Sequence, residues 1–417
     1  MEAYTVLTVE EAQARVLSYF HPLEAERVDL FQALDRVLAE DIFADMDIPP
    51  LANTAMDGYA VRAADTLDAS EEHPVRLKVI YDLAAGYVTD LQVKPGTAIR
   101  IMTGAPIPPG ADAVVPFEET DEASTRKSRG TGTTEVLIRK AATLGANIRA
   151  AGEDVHAGER VLAKGALVRP AEVGLLASVG RPTVLVHRRP RVAILATGDE
   201  LVSVDEKPGP GQIRNSNNYT VAASVLRYGG VPLMLGIARD RLEDLTAHIR
   251  SGLEQKPDLF ITSGGVSVGD FDVVKNVLAA EGEIGFWRVR MKPGKPLAFG
   301  TLRGVPHLGL PGNPVSSLVS FELFARPALL VMQGKTRLDK SVVEATFLDG
   351  LRHKDDRRHY LRVIVEQRGS DYVARLTGEQ GSGILSSVTR ANGLAIVPED
   401  MSSVAPGTRL RVMMLDS

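Results

Sequence analysis

The chain has no cysteine among its 417 residues, which excludes disulfides, thiolate nucleophiles and cysteine-ligated zinc or iron–sulfur centres. Positive charge is not in excess either. The formal net charge of −5 gives no electrostatic footprint for nucleic acid or an anionic membrane. No apolar run approaches the roughly 18 residues of a membrane span, and Met1–Thr5 lack the pattern of a signal peptide. We expect a cytoplasmic protein that has neither nucleic acid nor membrane as a partner.

Three familiar ligand signatures are also missing. The sequence contains no G-x-x-x-x-G-K-[ST], which disfavours a P-loop kinase or ATPase, and no G-x-G-x-x-G dinucleotide fingerprint stands at a strand–helix turn. The eight histidines are scattered without metal-ligand spacing, which argues against zinc catalysis. At roughly 100–200 residues per domain, the length predicts two to four domains.

The first half of the chain changes pattern twice. A capping box formed by Thr8 and Glu11 predicts a helix over residues 8–21, and apolar spacing predicts a second helix over 31–41. Short β runs separated by turn residues then fill residues 75–148, which indicates an all-β insertion.

The second half begins with a helix predicted over residues 171–178. Strands alternate with helices from residue 192 to residue 262, a pattern that predicts a parallel sheet with right-handed crossovers. A further helix is predicted over residues 314–332, with Asn313 as N-cap and Pro314 at the first helical position. Short strands and glycine turns follow to the end, as in a small β domain.

Glycine- and proline-rich loops are crowded into residues 258–322. Each follows the apparent end of a strand, where open α/β sheets bind their ligands. Glycines let backbone N–H groups approach an anion closely, and a helix N-terminus adds positive dipole. Lys292 and Lys295 supply positive charge, and Asp270 and Asp272 can hold a cation. These loops predict a site for a phosphorylated ligand with metal assistance.

Several shorter motifs have a structural and a functional interpretation. The loop 53–61 fits a structural Asx turn as well as a site, and the segment 147–155 fits a surface ion-pair turn. Asp240 ends a strand, which suits a ligand site, and a role as N-cap of the helix predicted over residues 242–253 explains it nearly as well. Lys292 and Lys295 could be ordinary solvated lysines, although the intervening Pro-Gly makes a fixed bend that favours a function.

Together these motifs resemble one family in order and over nearly the full length: the molybdopterin molybdenumtransferases, comprising the bacterial MoeA proteins and the homologous E domain of gephyrin. The motifs that carry the resemblance are Asn-Thr-Ala-Met-Asp-Gly-Tyr-Ala (53–60), Arg-Ile-Met-Thr-Gly-Ala-Pro (100–106), Gly-Glu-Asp (152–154), Thr-Gly-Asp-Glu-Leu (197–201), Ser-Gly-Gly-Val-Ser-Val-Gly-Asp (263–270), Lys-Pro-Gly-Lys-Pro (292–296), Leu-Pro-Gly-Asn-Pro (310–314) and Gly-Ser-Gly-Ile-Leu-Ser-Ser (381–387).

The resemblance implies a multidomain α/β and β protein. It combines a molybdopterin-binding three-layer α/β/α domain with a β-rich insertion domain, a discontinuous N-terminal domain and a C-terminal β-barrel. The expected bounds are 1–48 with 149–186 for the discontinuous domain, 49–148 for the insertion, 187–333 for the α/β domain and 334–417 for the barrel. The family also implies a homodimer whose active site is shared, so that Asp57, Thr103 and Asp154 face the α/β domain of the partner chain.

The implied reaction inserts molybdate, the second substrate, into adenylylated molybdopterin and releases AMP. The molybdopterin adenylyltransferase and the acceptor molybdoenzymes are the implied protein partners. The resemblance assigns catalysis to Asp57, Asp154, Glu200, Asp240, Asp272, Lys292 and Lys295. It assigns substrate binding to Thr103, Arg149, Thr197, Gly198, Ser263, Gly264, Gly265, Ser267, Gly269, Pro311, Gly312, Asn313, Pro314, Ser316, Arg358 and Ser382. Asp240 and Asp272 are the implied ligands of Mg²⁺, which suits carboxylates that act beside phosphate oxygens.

Within this set the resemblance places molybdate against Lys292, Lys295, Arg358, Ser316 and Ser382. Two departures from the family pattern bear on it. The family commonly has glycine at or beside Asp356, which leaves open whether Arg357 or Arg358 reaches the anion, and Phe271 replaces a frequent tyrosine. The remaining alternatives are a molybdopterin-binding scaffold without turnover, a tungstate-specific insertase, and a different hydrolase built on the same pterin-binding domain.

Overall fold

The computed structural model describes residues 5–124, 132, 134–264, 272–352 and 355–415, without the side chains of residues 272, 273 and 275. The chain divides into two compact units. The first comprises Met1–Val28, Ala33–Ala39 and Leu185–Ser417, and the second comprises Asp29–Gln32 and Glu40–Val184.

A seven-stranded mixed sheet forms the centre of the first unit. Its strands are β1 (Thr5–Leu7), β2 (Arg191–Thr197), β3 (Val231–Ala238), β4 (Leu259–Ser263), β5 (Gly282–Val289), β6 (Pro296–Leu302) and β7 (Val305–Leu310). Their spatial order is β1-β5-β6-β7-β4-β2-β3. The neighbours β7, β4, β2 and β3 all run parallel, so their carboxyl ends meet at one edge.

Helices cover both faces of this sheet, because the side chains of a buried strand alternate between the two faces. The helices are α1 (Val9–Leu17), α2 (Asn217–Arg227), α3 (Leu242–Glu254), α4 (Asp272–Glu281), α5 (Pro314–Ser320) and α6 (Arg326–Met332). Val192 and Ile194 of β2 pack in one core with α1, α2, α5 and α6, whereas Ala193 and Leu195 pack in another with α3 and α4. The predicted three-layer α/β/α domain is confirmed.

A closed five-stranded barrel follows in the same unit. Its strands are β8 (Val342–Phe347), β9 (Arg358–Arg368), β10 (Asp371–Leu376), β11 (Gly393–Val397) and β12 (Arg409–Met414). The ring closes because β9 pairs with both β10 and β11, and β12 joins β11 to β8. The short helix α7 (Ser386–Thr389) precedes β11. Two shorter pairs belong to this unit, Leu201–Val202 with Ile213–Arg214 and Leu351–Arg352 with Ser403–Val404.

The second unit is built mainly of strands, which agrees with the predicted β-rich insertion domain. Its largest sheet has the order Ala113–Pro116, Gly58–Val61, Thr97–Ile101, Val75–Leu83 and Glu135–Ile138. Two small antiparallel pairs accompany it, Asn53–Thr54 with Ile148–Arg149 and Ile42–Phe43 with Arg160–Leu162. The unit ends with helix Pro170–Ser178, close to the predicted bounds. A further two-stranded sheet, of Ala25–Asp29 and Thr183–His187, has most of its residues in the first unit.

The predicted helix over residues 31–41 is wrong. Residues 30–35 form turns, and Asp35 has φ of 62°, a left-handed conformation that a right-handed helix cannot continue. Leu38 is buried all the same, because it bridges Val186 as part of an extended segment. The apolar spacing therefore reflected burial of an irregular segment, not one face of a helix.

The absence of any span-length apolar segment was also a wrong prediction. Pro314–Met332 forms 19 helical residues with a mean hydropathy of 1.5, long and apolar enough to cross a membrane. However, 89% of the apolar window is buried inside the protein, as in the core helix of a soluble domain. A π-helical segment, Phe321–Ala325, joins α5 to α6 within it. Asn313 and Pro314 begin this helix as predicted, although the Asn313 side chain makes no capping hydrogen bond.

Candidate active site

A cavity of about 620 Å³ opens where β2, β4 and β7 end. This is the edge at which open α/β sheets bind their ligands. The predicted residues that line it are Thr197, Glu200, Ser263, Gly264, Pro311, Gly312, Asn313, Pro314 and Ser316. They come from segments far apart in sequence, and the parallel pairing of the three strands brings them together. The predicted loops therefore surround one common space.

The wall of this cavity includes further residues. Four of them belong to the sequence motifs but were not named as site residues: Leu201, Pro296, Gly383 and Leu385. Sequence reasoning missed the others entirely: Ile213, Arg214, Asn215, Ser216 and Asn217. Asn217 holds two loops together, since its amide Nδ2 donates to Ser263 Oγ at 2.8 Å and to the Gly312 carbonyl at 2.7 Å. The available signal was the polar run 215–218 at the start of α2.

Backbone atoms approach closely on this wall. Gly264 has φ of +97°, and a β-carbon there would lie 2.6 Å from the Thr197 carbonyl oxygen. Glycine is therefore required for the ends of β2 and β4 to meet at this distance. The Thr197 hydroxyl is buried and has no hydrogen-bond partner among the described residues. The loops thus offer a wall of backbone and small polar groups.

Three carboxylates, Asp199, Glu200 and Asp240, lie on the loops after β2 and β3. The pKa of Asp240 is raised because of partial burial and the nearby negative charges of Asp199 and Glu200. The backbone N–H of Asp240 donates to Asp199 Oδ1 at 3.3 Å. Asp240 is not the helix N-cap, because that position belongs to Arg241. The N-cap interpretation of Asp240 is therefore wrong.

A divalent cation fits this acidic corner chemically. It would relieve the repulsion that raises the pKa of Asp240, and the carboxylate oxygens are the hard donors that Mg²⁺ prefers. Mg²⁺ commonly takes one or two carboxylates and completes its shell with phosphate oxygens and water. Across the described residues no group of three or more acidic or histidine side chains is arranged as a complete metal site. The side chain of Asp272 lies outside the described part of the chain, as do Gly265, Ser267 and Gly269.

Lys292 and Lys295 are both exposed on the bend that leads into β6. Neither lines the cavity, although the next residue, Pro296, does. The bend is tied to the barrel, because the short strand Met291–Lys292 pairs in parallel with Arg358–His359. Gly294 has φ of +102° and packs so closely that a β-carbon would lie 2.8 Å from Ser320 Oγ. The backbone of the bend is therefore fixed while its lysine side chains face solvent.

The two candidate arginines of the barrel have different partners. Arg358 makes ion pairs with Glu10 and with Glu399, the latter at 3.1 Å. Arg357 Nη2 contacts Asp355 Oδ2 at 2.9 Å, and Lys292 Nζ lies 3.7 Å from the same oxygen. Arg357 and Lys292 therefore share one carboxylate oxygen, whereas Arg358 is paired with other acids.

Ser382 lies beside the cavity wall. Its carbonyl accepts a hydrogen bond of 3.1 Å from the backbone N–H of Val315, which holds the segment against the start of α5. The neighbouring Gly383 lines the cavity itself. Gly198 is buried and has φ of +148°, a backbone conformation that residues with a side chain rarely adopt, so this position also favours glycine.

The second unit brings Asp57 and Thr103 together. Asp57 Oδ1 accepts from the Thr103 N–H at 2.8 Å and from the Thr103 hydroxyl at 2.7 Å. Gly58 permits this arrangement, because a β-carbon there would lie only 2.1 Å from the Val115 carbonyl of the adjacent strand. Arg149 is exposed and pairs with Asn53 in a short antiparallel ladder.

Asp154 is exposed as well, and its N–H donates to the Ile48 carbonyl at 3.0 Å. The Asp57 side chain accepts from Thr103, 46 residues away in the chain, so this contact is not an Asx turn. In the segment 147–155, Glu153 Oε2 accepts from the Ala150 N–H at 3.1 Å, which is a hydrogen-bonded turn and not an ion pair. The Asx-turn and ion-pair interpretations are therefore not confirmed.

The fold and the cavity define a class: a multidomain protein with a ligand-binding three-layer α/β domain followed by a β-barrel. Three protein-family models match the chain in order. The model for the MoeA N-terminal region (domain I and II) matches residues 7–180, and the model for the probable molybdopterin binding domain matches residues 193–331. The model for the MoeA C-terminal region (domain IV) matches residues 344–415. The chain belongs to the molybdopterin molybdenumtransferase family, as the sequence motifs predict.

Individual relatives agree over nearly the whole length. The chain is 40% identical over 411 residues to molybdopterin molybdenumtransferase 2 of Mycobacterium tuberculosis, covering 97% of this chain and 98% of that protein. It is 36% identical over 416 residues to the molybdopterin molybdenumtransferase of Bacillus subtilis, covering 100% and 95%. The crystal structure of the molybdopterin biosynthesis MoeA protein from Pyrococcus horikoshii is similar with a TM-score of 0.80 at 30% identity, covering 99% and 100%.

Proposed function

We propose that this protein inserts molybdenum from molybdate into adenylylated molybdopterin and releases AMP. The observation that carries the proposal is the cavity at the carboxyl ends of β2, β4 and β7, in a chain whose relatives are molybdopterin molybdenumtransferases. In the reaction, two oxygens of molybdate are replaced by the two dithiolene sulfurs and leave as water, taking up the two thiol protons and two protons from solution. One water is consumed when the phosphoanhydride bond is hydrolysed, which releases AMP and leaves the pterin with its own phosphate.

The cavity suits the phosphorylated pterin. Small hydroxyl and amide groups line it, including Ser263, Asn217 and Asn313, and the amino end of the helix that starts at Pro314 reaches it. Backbone N–H groups and a helix N-terminus are favourable partners for phosphate oxygens. Because the Asn313 side chain does not cap its helix, its amide can be used for the ligand. We assign ligand binding to the cavity residues and to Gly265, Ser267 and Gly269, which follow Ser263 and Gly264 in the sequence.

Cleavage of the anhydride concentrates negative charge, and this is the role we assign to the acidic corner. Asp240 and Asp272 would hold Mg²⁺, which supplies charge neutralisation at the phosphate oxygens when bound. The negative charge of Glu200 contributes to the raised pKa of Asp240, so the two carboxylates are close to each other. We assign Glu200 to positioning of the substrate or to proton transfer. The raised pKa of Asp240 supports its assignment to Mg²⁺, because a bound cation would stabilise the charged form of its carboxylate.

Molybdate is a compact dianion and needs cationic partners outside the apolar core. We assign Lys292 and Lys295 to it, because both are exposed on a bend whose backbone is fixed. The hydroxyls of Ser316 and Ser382 are assigned to the same anion, and Arg358 remains a candidate despite its two carboxylate partners. Such charge-assisted hydrogen bonds are the stronger ones in proteins.

The family resemblance supports a homodimer in which Asp57, Thr103, Arg149 and Asp154 of one chain complete the site on the other. The molybdopterin adenylyltransferase would supply the adenylylated substrate, and acceptor molybdoenzymes would take the product. The same resemblance supports a cytoplasmic location.

The deciding experiment measures AMP release by the purified protein from adenylylated molybdopterin. We expect release only when molybdate and Mg²⁺ are both present, with the molybdenum cofactor as the second product. Omitting molybdate, or chelating Mg²⁺, serves as the matched control on the same preparation. Tight binding of adenylylated molybdopterin with no turnover under complete conditions would favour a scaffold instead.

A further inference from the structure

We infer that Asp355 competes with molybdate for Lys292 and Arg357 and thereby sets the affinity of the protein for this substrate. The inference rests on the proposed function, because it takes Lys292 as a molybdate-binding residue. It adds a residue that determines affinity for molybdate and is itself negatively charged.

Asp355 already makes the contacts that an oxyanion would make. Its Oδ2 atom lies 2.9 Å from Arg357 Nη2 and 3.7 Å from Lys292 Nζ, and its Oδ1 atom lies 2.8 Å from His359 Nε2. A guanidinium, an ammonium and an imidazole thus surround one carboxylate. These are the donor types that proteins use to hold carboxylates and tetrahedral oxyanions alike.

The main chain fixes this arrangement. The strand pair Met291–Lys292 and Arg358–His359 sets Lys292 beside His359, and Asp355 lies one short turn before that strand. The cluster is only partly open to solvent, with side-chain exposures of 51% for Lys292, 27% for Asp355 and 26% for Arg357. Lys292 can therefore reach either Asp355 or an incoming anion without movement of the backbone.

Asp355 stays charged over the working range of pH. Burial alone would raise its pKa, but hydrogen bonds from Arg357 and His359 outweigh burial and hold the pKa well below its usual value. A permanent negative charge next to Lys292 opposes the approach of a dianion. To bind Lys292, molybdate must therefore displace a carboxylate that remains ionised.

The neighbouring Asp356 provides a matched control. It is 83% exposed and contacts Arg290 at 3.2 Å, so it carries the same charge one residue away but is directed to another partner. Replacing either aspartate by asparagine changes the net charge by the same amount. Only Asp355→Asn removes the carboxylate that Lys292 and Arg357 share.

The test is the dependence of AMP release on molybdate concentration in the full-length protein with adenylylated molybdopterin and Mg²⁺. Because the cluster is partly open to water, where unit charges about 4 Å apart interact only weakly, removing the repulsion should lower the KM for molybdate about three- to tenfold in Asp355→Asn. We expect kcat to change less than KM, Asp356→Asn to keep the parent KM, and Asp355→Glu to restore a value near the parent. High salt should reduce the difference between Asp355→Asn and the parent.

An unchanged or higher KM in Asp355→Asn would overturn the inference, because Asp355 would then position Lys292 instead of competing for it. An equal decrease in Asp356→Asn would also overturn it, since the effect would be one of general charge. Asp355→Ser, which is neutral but still able to accept from His359, replaces Asp355→Asn if thermal unfolding shows that the latter is misfolded. If the parent releases no AMP, the proposed function fails, and equilibrium dialysis of molybdate with the same variants still tests Asp355.

Discussion

The hydroxyl of Tyr59 donates a hydrogen bond of 2.6 Å to the carboxylate of Glu122, which is fully buried in the β-rich unit. Arg100, opposite Tyr59 in the adjacent strand, contacts the same carboxylate at 2.7 Å. The two strands that meet at Glu122 carry Asp57 and Thr103 just beyond Tyr59 and Arg100. One buried carboxylate therefore links the two strands that lead to Asp57 and Thr103, both of them candidate site residues.

We expect Glu122→Gln to destabilise the β-rich unit strongly. The substitution removes the carboxylate that is hydrogen-bonded to the Arg100 guanidinium, whose side chain is 11% exposed, and breaking a buried ion pair in this way costs about 3–5 kcal/mol. Native-state hydrogen exchange of strand Thr97–Ile101 measures the loss directly. Glu135→Gln is the control, because its partner Arg76 is 66% exposed and such surface pairs contribute about 0–1 kcal/mol. Equal protection in the two variants would contradict the prediction.

Asn217→Ala should weaken binding of adenylylated molybdopterin. It removes the hydrogen bonds to Ser263 and Gly312 that hold two loops of the cavity wall together. With a loss of about 1–1.5 kcal/mol, the dissociation constant should rise about five- to tenfold, which a ligand-binding titration would detect. Tyr219→Ala, an exposed position on the same helix, should bind as the parent does. Parent-like affinity in Asn217→Ala would mean that the loops are held by other contacts.

Substitution of Lys292 or Lys295 should affect molybdate binding, whereas substitution of Asp272 should affect the Mg²⁺-dependent release of AMP. Lys292→Ala or Lys295→Ala removes a charge-assisted hydrogen bond of about 1.5–3 kcal/mol, so molybdate affinity should fall about 10- to 150-fold. Asp272→Ala should weaken Mg²⁺ dependence and AMP release while leaving molybdate affinity nearly intact. Equilibrium dialysis with molybdate measures the first effect, and a Mg²⁺ titration of turnover measures the second. If both lysine variants bind molybdate as the parent does, the assignment of the lysines to molybdate is wrong, and the pterin phosphate becomes their expected ligand.

Subunit mixing tests the shared site of the proposed homodimer. Asp57→Ala and Asp272→Ala should each inactivate the protein, but some mixed dimers would contain one intact site. We therefore expect part of the activity to return when the two inactive proteins exchange subunits. The degree of exchange has to be measured in parallel, for example with differently tagged chains. Confirmed exchange without recovery would count against a site built from two chains.

His307 should make stability depend on pH. The side chain is fully buried in β7, its Nε2 atom lies 3.0 Å from the Thr262 hydroxyl, and burial lowers its pKa to about 3. The folded protein holds His307 neutral, so this residue does not reduce the free energy of unfolding above the unfolded-state pKa of about 6.5. As pH falls from 6.5 toward 3, the unfolded chain binds a proton that the folded protein does not, and the free energy of unfolding decreases. Compared with His307→Gln, the parent should lose up to about 1.4 kcal/mol more per pH unit between pH 6 and pH 4. Parallel stability curves for the two proteins would contradict this.

Much of the fold could be predicted because its strands and helices have strong periodic patterns. The strand predicted at Val192–Leu195 is part of β2, and the helix predicted from Leu242 is α3, each within two residues of its observed bounds. Where burial came from irregular backbone, as at Leu38, the same apolar spacing was misleading. A core helix such as Pro314–Met332 likewise differs from a membrane span only through tertiary packing.

The cavity loops could be predicted since each follows a strand, and parallel pairing brings strand ends together. Asn217 could not, because its role lies in hydrogen bonds to two distant loops and its own helix start has an ordinary polar sequence. Asp355 could not be predicted either. Its contact with Lys292 depends on the parallel pairing of Met291–Lys292 with a strand of the barrel, which no local pattern reveals.

The pairing of Met291–Lys292 with Arg358–His359 limits which fragments and chimaeras of this protein can keep its activity. The bend at Lys292 obtains its partner strand from Arg358–His359, and the segment at Ser382 is bonded to the first turn of the helix after the cavity. An isolated fragment ending near Gly334 could keep the α/β layers but would lose the partner that orients its lysines. Exchange of barrels between homologues should therefore preserve activity only when bend and barrel are inherited together, as a single module.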